Sequence, residues 1–236
     1  YRIGNPNLKP EESENTSVGF VWTPEILDGL TITYDSWEIE KENTIVLLGR
    51  QNRMVADLVD LLDYGTSNCS NYNNPNVLRD PNPGYSASDI AVFTAAGICP
   101  VGEAYLVTDP YANAATRTLS GDDIGVYYDL DTDIGSFKLT INYSETDEFT
   151  QEPTAEYAKL VAAQAEGRIP FDVTLSGFGD LAGLDGNYTE KTSMKLNYKY
   201  GDWGAQISSL KKGDFYQSSE TRSDGTKYVI PSMRTV

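Results

Sequence analysis

The carboxylates come closest to a chemical spacing. In Asp129-Leu130-Asp131-Thr132-Asp133-Ile134-Gly135, three acidic side chains occupy alternate positions, as at the start of a calcium loop. The template then fails: Ile134 stands sixth, where Gly is required, and Thr140 stands twelfth, where a bidentate Glu is needed. Asp122 and Asp123 in "SGDD" (Ser120 to Asp123) are sequence neighbours. General acid and base work instead needs two carboxyls set across a cleft with pKa values pushed apart. The chain has no His, which removes Ser-His-Asp and Cys-His nucleophilic arrangements and the common zinc sites. No catalytic residue, cofactor or metal site is expected, and the chain does not read as an enzyme.

Its two cysteines, Cys69 and Cys99, stand 30 positions apart in a stretch rich in Gly, Asn and Pro. The favoured reading is a disulfide closing a long loop in an oxidising compartment; two small buried thiols are the alternative. Asn-x-Ser/Thr sequons at Asn15, Asn68, Asn142 and Asn187 carry little weight, because so short a pattern arises by chance.

These residues must be carried by strands. Period-2 alternation recurs in separate segments. In "SFKLTINYSE", Phe137, Leu139, Ile141 and Tyr143 share one face, opposite Lys138, Thr140, Asn142 and Ser144. Ile124, Val126, Tyr128 and Leu130 do the same in "DIGVYYDL", as do Met194, Leu196, Tyr198 and Tyr200 in "SMKLNYKY". "TSVGFVWT" sets Val18, Phe20 and Trp22 on one face. In "LTITYDSWEIE" the set Leu30, Ile32 and Tyr34 gives way to Trp37 and Ile39 on the opposite face. "WGAQISSL" is weaker, and "TKYVIPSM" is a candidate seventh strand.

The connections alternate in length. Short ones are expected at Pro24 to Gly29, Asp131 to Gly135 and Gly201 to Asp202. Long ones run from about Thr44 to Thr118, Thr150 to Thr189 and Gln217 to Gly225. In an up-and-down antiparallel sheet this puts every short turn at one end, the asymmetry of an outer-membrane barrel. Two loop segments read as helices. "RMVADLVDLLDYG" has Met54, Val55, Leu58, Leu61 and Leu62 at helical spacing before Gly65. "TAEYAKLVAAQAEG" has Thr154 as N-cap, Glu156 in the first turn, Leu160 and Val161 on one face and Gly167 as stop. Trp22, Tyr34, Trp37, Tyr143, Tyr200 and Trp203 lie near strand ends, where a membrane barrel places its aromatic girdles.

The net charge of −17, from 18 Lys plus Arg against 35 Asp plus Glu, argues against a nucleic-acid partner. No apolar run approaches the 18 or so residues of a membrane helix, and no signal peptide opens the sequence.

"GNPNLKPEESENTSVGFVWTP", followed by "GLTITYDSWEIEKENTI", resembles the barrel of TonB-dependent outer-membrane receptors. In that family an Asn-Pro-Asn-Leu-Lys-Pro-Glu phrase closes an extracellular loop and enters a descending strand. Asp35, Ser36, Trp37, Glu38 and Ile39 follow its Asp-aromatic-x-Ile pattern, with Ser36 in place of a second aromatic. "YANAATRTLSGDDIGVYYDLDTDIGSFKLTINYS" is similar to the next hairpin. The resemblance implies an all-β fold: six or seven strands of a 22-stranded transmembrane barrel, with helices in its extracellular loops. It implies that residues 1–236 are a partial barrel domain, without the plug and the remaining strands. It further implies energy-coupled uptake of a scarce ligand (iron chelate, vitamin or oligosaccharide) across a Gram-negative outer membrane. The partners would be outer-membrane lipid, an inner-membrane energy-coupling protein reached through the plug, and a small ligand. The ligand-binding residues are unknown; Tyr72, Tyr85, Tyr105 and Tyr111 are loop tyrosines that could stack on a ligand. A soluble β-sandwich or adhesin-like binding module is the alternative, and it requires the apolar faces to pack against a second sheet.

Overall fold

The six expected alternating segments pair into one antiparallel sheet, which a short seventh strand extends. The computed structural model describes residues 1–114, 116–170, 172–222 and 226–236, so residues 223–225 of the connection expected over Gln217 to Gly225 lie outside it. The strands are β1 (Glu12–Trp22), β2 (Leu30–Glu42), β3 (Thr116–Thr132), β4 (Gly135–Gln151), β5 (Glu190–Tyr200), β6 (Trp203–Lys212) and β7 (Met233–Thr235). Each neighbours the next in chain order. β1–β2, β3–β4 and β5–β6 are joined by short turns at one end of the sheet. At the other end the chain departs at Glu42 and Gln151 and re-enters at Thr116 and Glu190.

The expected strand "TKYVIPSM" is divided. Lys227–Ile230 forms a separate hairpin with Phe215–Thr221, and Met233–Thr235 joins the sheet against Leu210–Lys212. Pro231 separates the two, since it has no N–H for a ladder and a fixed φ.

The register carries one apolar set across the sheet. Trp22, Ile32, Val126, Ile141 and Met194 stand in one row; Leu30, Tyr128, Leu139, Leu196 and Ile207 form the next. Phe20 and Tyr34, then Ile124 and Tyr143, continue the band toward the long loops, and Leu130, Phe137 and Tyr198 continue it toward the short turns. Ring contacts link Phe20 to Tyr34 at 5.6 Å and Phe137 to Tyr198 at 4.9 Å between centroids. Trp22, Tyr200 and Trp203 mark the short-turn border, and all three are exposed. From that border to Tyr143 is about eight residues along β4, roughly 27 Å at 3.4 Å per residue and about 20 Å after strand tilt. That approaches the roughly 25 Å apolar band of an outer-membrane barrel.

The switch of Trp37 and Ile39 to the opposite face has a structural counterpart. Trp37 lies across from Gly121, and Ile39 pairs with Leu119, which pairs with Phe149. A Cβ on Gly121 would lie 2.9 Å from the Trp37 ring, so Gly leaves room for the indole. A register shift between Thr146 and Glu148 lets β4 keep Phe149 on this side.

Two compact units result. One comprises Glu12–Glu42, Thr116–Gln151 and Phe178–Val236 and holds the sheet. The other comprises Tyr1–Glu11, Asn43–Ala115 and Glu152–Gly177 and consists of loop segments. Among the described residues, every buried apolar side chain except Phe178 belongs to the loop unit. In the sheet, Val18 is 71% exposed and Trp203 81%. Among the described residues the band's side chains are not packed into a dry core, and the packing that a β-sandwich requires is not met there.

Replacing Ile141, central in the band, with Arg should block assembly of the barrel into membrane. A cation on a lipid face costs about 2–4 kcal/mol at mid-depth. Thr140→Arg, one residue away on the other face, should assemble as wild type. Heat-modified mobility of membrane fractions on gels distinguishes them, and equal loss in both variants would contradict this assignment of faces.

Candidate functional site

In the loop unit the opening phrase is bound to the end of the first long connection. Arg2–Ile3 pairs in parallel with Asp109–Pro110. The Asn5 side chain donates to the Tyr111 carbonyl (3.0 Å), and its own oxygen accepts from the Asn7 N–H. Asn113 receives the Lys9 N–H (2.8 Å) and donates to the carbonyls of Lys9 (3.0 Å) and Asn43 (2.6 Å). The Glu11 carboxylate accepts from the Ile45 N–H (2.8 Å). The two Asn-bearing phrases singled out in the sequence thus hold each other, through side chains that satisfy backbone groups which no ladder pairs.

Helix α1 spans Arg50–Tyr64 and ends at Gly65, whose φ of +70° lies in the left-handed region. Helix α3 spans Ala155–Ala165; the Thr154 hydroxyl accepts from the Tyr157 N–H as N-cap. Both were expected, but their buried faces differ from the apolar spacing. Val161 is exposed, and Leu160 is buried with Tyr157 and Ala163 instead. In α1, Met54, Leu58 and Leu62 are half-buried, whereas Arg53 and Asp57 are buried. A third helix, α2 (Ala87–Ala95), is absent from the sequence reading; its signal is the Ser86/Asp89 capping box ahead of an apolar run. The Ser86 bonds hold the Asp89 carboxyl below its ordinary range.

Ion pairs explain the buried charges of α1. Arg53 donates to Asp109 (3.0 Å) and to Glu156 of α3; the other Asp109 oxygen accepts the Gly49 N–H (2.9 Å) ahead of the helix. Asp57 has no exposure and accepts from the Tyr72 hydroxyl (2.9 Å), the Asn74 amide (2.9 Å) and Arg79. Burial, then the bond to Asp57, raises the Tyr72 pKa above its ordinary value. A buried carboxylate is tolerable only when its lone pairs are filled in this way.

Over this network lies a cavity of about 380 Å³, lined by Tyr72, Arg79, Pro81, Pro83, Pro100 and Tyr105 among others. Arg79 also donates to the Gly102 carbonyl (2.8 Å). Cys69 lies on its rim and is bonded to Cys99, which is fully buried, with Cα atoms 5.3 Å apart. The structure therefore brings two of the four singled-out tyrosines to one hollow. Tyr105 is 68% exposed there. Tyr85 packs on Phe93 (5.2 Å) and donates to the Val101 carbonyl, and the Tyr111 backbone is held by Ile3 and Asn5. Aromatic faces, proline rings and backbone carbonyls can stack on and hydrogen-bond a small organic ligand. The buried Asp57 network was missed because apolar periodicity does not register Arg53 and Asp57, four residues apart in α1.

The carboxylates that opened the sequence analysis do not converge. Asp122 accepts from the Tyr34 hydroxyl (2.9 Å) on the apolar-band side, while Asp123 accepts from Ser144 on the other, so the neighbours face apart. Asp129 pairs with Lys138 at 3.3 Å. Asn142 in its sequon accepts from the Tyr127 hydroxyl (3.1 Å).

Asp57→Ala should loosen α1 and the cavity floor by about 3 kcal/mol, because the half-buried Arg79 is left without its counter-ion and the Tyr72 and Asn74 donors lose their acceptor. Losing the Cys69–Cys99 bond should cost a comparable amount, roughly 3–4 kcal/mol on the chain-entropy account. Hydrogen exchange at α1 amides and at Val77–Arg79 reads both; unchanged protection in either variant would refute its assigned role.

Residues 1–57 match a family model described as TonB dependent receptor-like, beta-barrel. No curated relative matches the chain. Among solved structures, the siderophore receptor PirA from Acinetobacter baumannii is similar at 13% identity and a TM-score of 0.51. That likeness covers 99% of this chain and 26% of the other. The FrpB iron transporter from Neisseria meningitidis (F3-3 variant) is similar at 10% identity with a TM-score of 0.41, over 99% of this chain and 24% of that one. The chain thus spans about a quarter of the length of these structures. The Asn-Pro-Asn-Leu-Lys-Pro phrase and the β1–β2 hairpin lie within the matched 57 residues, and the seven-strand meander shares the PirA fold. Over residues 1–57 the chain is thus similar to the TonB-dependent receptor β-barrel, and over nearly its whole length it shares the fold of a segment of such a barrel.

Proposed function

We propose that this chain supplies part of the wall and of the ligand-facing outer loops of a Gram-negative outer-membrane receptor. The receptor captures a scarce small ligand and imports it with energy delivered by an inner-membrane coupling protein. The observation that carries this reading is the apolar band running across β1 to β6, backed by an opposite face that is mainly polar and gathers Trp37, Ile39, Leu119 and Phe149 only toward the long loops. A band outside and a polar lumen inside are what a bilayer and a transport path respectively demand. Length asymmetry supports the orientation: the short turns face the periplasm, and the long connections, with their helices and disulfide, face outward. The oxidising periplasm suits formation of Cys69–Cys99 during export. Coupling would act through a plug domain inside the barrel.

The ligand class is open among iron chelates, vitamins and oligosaccharides. Iron chelates come first to test, because PirA is a siderophore receptor. The hollow beside Tyr72 and Tyr105 is the candidate contact in this segment.

A panel of radiolabelled ferric chelates, cobalamin and oligosaccharides, offered to cells with and without the intact receptor, should yield one ligand whose accumulation needs the receptor. A protonophore should abolish that accumulation. Tyr105→Ala should raise the half-saturating concentration severalfold, since losing one aromatic contact costs on the order of 1 kcal/mol. Accumulation that persists with the protonophore would contradict energy coupling. A receptor found only in the soluble fraction would contradict the whole reading.

A further inference from the structure

We infer that the polar face of β4 to β6 carries a cradle for a compact polyanion, a small molecule bearing several phosphate or carboxylate groups. The inference deepens the receptor reading and rests on it only in taking this face as the lumen side.

The observation is a separation of charge by face. On the polar side, β4 up to Thr146 presents Ser136, Lys138, Thr140, Asn142, Ser144 and Thr146. β5 presents Lys191, Ser193, Lys195, Asn197 and Lys199, and β6 presents Gly204, Gln206, Ser208, Leu210 and Lys212. Five of these residues are lysines and none is a carboxylate, in a chain whose net charge is −17; the carboxylates of this face, Asp123, Asp129 and Asp131, stand on the adjoining β3, across from Ser144, Lys138 and Ser136, so the basic surplus lies on β5 and β6. The opposite face of the same strands has Glu145 and Glu190, with Lys211 as its lysine.

The register fixes the geometry. Lys195 and Lys199 lie four residues apart on β5, roughly 13 Å. Asn197 stands between them, directly across from Lys138 on β4 and Gln206 on β6. Lys138 is thereby diagonal to both Lys195 and Lys199, at about 7–8 Å between backbones, within reach of side chains this long. Lys138 shares its charge with Asp129 in an exposed pair, whereas Lys195 and Lys199 form no ion pair among the described residues. Three ammonium groups around two amide side chains offer donors from several directions, the arrangement that charge-assisted hydrogen bonds to oxyanions use. Like charges this close repel one another across a strand pair, and a bound polyanion removes that repulsion.

Tripolyphosphate is the probe. Titrated calorimetrically into the intact receptor containing this segment, in detergent at low salt, it should bind; 0.3 M salt should weaken binding severalfold. K195Q and K199Q should each lower affinity, and together by about tenfold, as expected when two exposed ion pairs are lost. K211Q removes one lysine from the opposite face and should leave affinity unchanged, and heat-modified mobility should show all variants folded. No heat of binding in the wild type would overturn the cradle, and so would equal weakening in K211Q and K195Q. Because the titration does not read uptake, the cradle and the transport reading can fail separately. A receptor that binds tripolyphosphate through these lysines yet accumulates nothing in cells would retain the cradle and lose the transporter.

Discussion

Register is the constraint on which this structure depends. Side chains alternate faces with period two, so a slip of one residue in any strand pair would send its apolar set into the polar face. From β1 to β6 the pairing holds Trp22, Ile32, Val126, Ile141 and Met194 in one row. The short turns help to enforce it. Gly29, with φ of +82°, and Gly201, with φ of +54°, allow tight reversals that leave little freedom for sliding. The ladder also pairs backbone donors and acceptors along the interior strands apart from the bulge at Thr146/Glu148, which isolated strands could not do.

The same register distributes charge. Residues opposite one another on adjacent strands share a face, so acidic and basic residues that look mixed in the linear sequence are sorted by pairing. Asp122 and Asp123 part company for this reason. Lys138, Lys195 and Lys199 come together for the same one. A strongly acidic chain can therefore hold a locally basic wall.

The loop unit follows different rules. It holds nearly all the buried apolar side chains among the described residues, yet its organisation rests on polar groups: the Asn5 and Asn113 bonds, the Arg53–Asp109–Glu156 ties and the filled carboxylate of Asp57. Irregular backbone has no ladder to pair its N–H and C=O groups, so side chains serve instead. The Cys69–Cys99 bond adds a covalent closure near one end of this network.

By itself the sequence determined the strands, their order and their faces, because alternation is local and turn residues mark the reversals; it also marked α1, α3 and the two cysteines. It did not determine that "TKYVIPSM" splits between a hairpin and the sheet, since Pro231 shows only that a break occurs there and not which partner each half takes. Nor did it show that Arg53 and Asp57 lie inside, because their burial depends on Asp109, Tyr72, Asn74 and Arg79, all of them outside the helix in loop segments whose path its periodicity does not reveal. The cradle around Asn197 required the register of three strands. Which side chains share a face is a property of one segment, but which become neighbours across segments is decided by the tertiary structure alone.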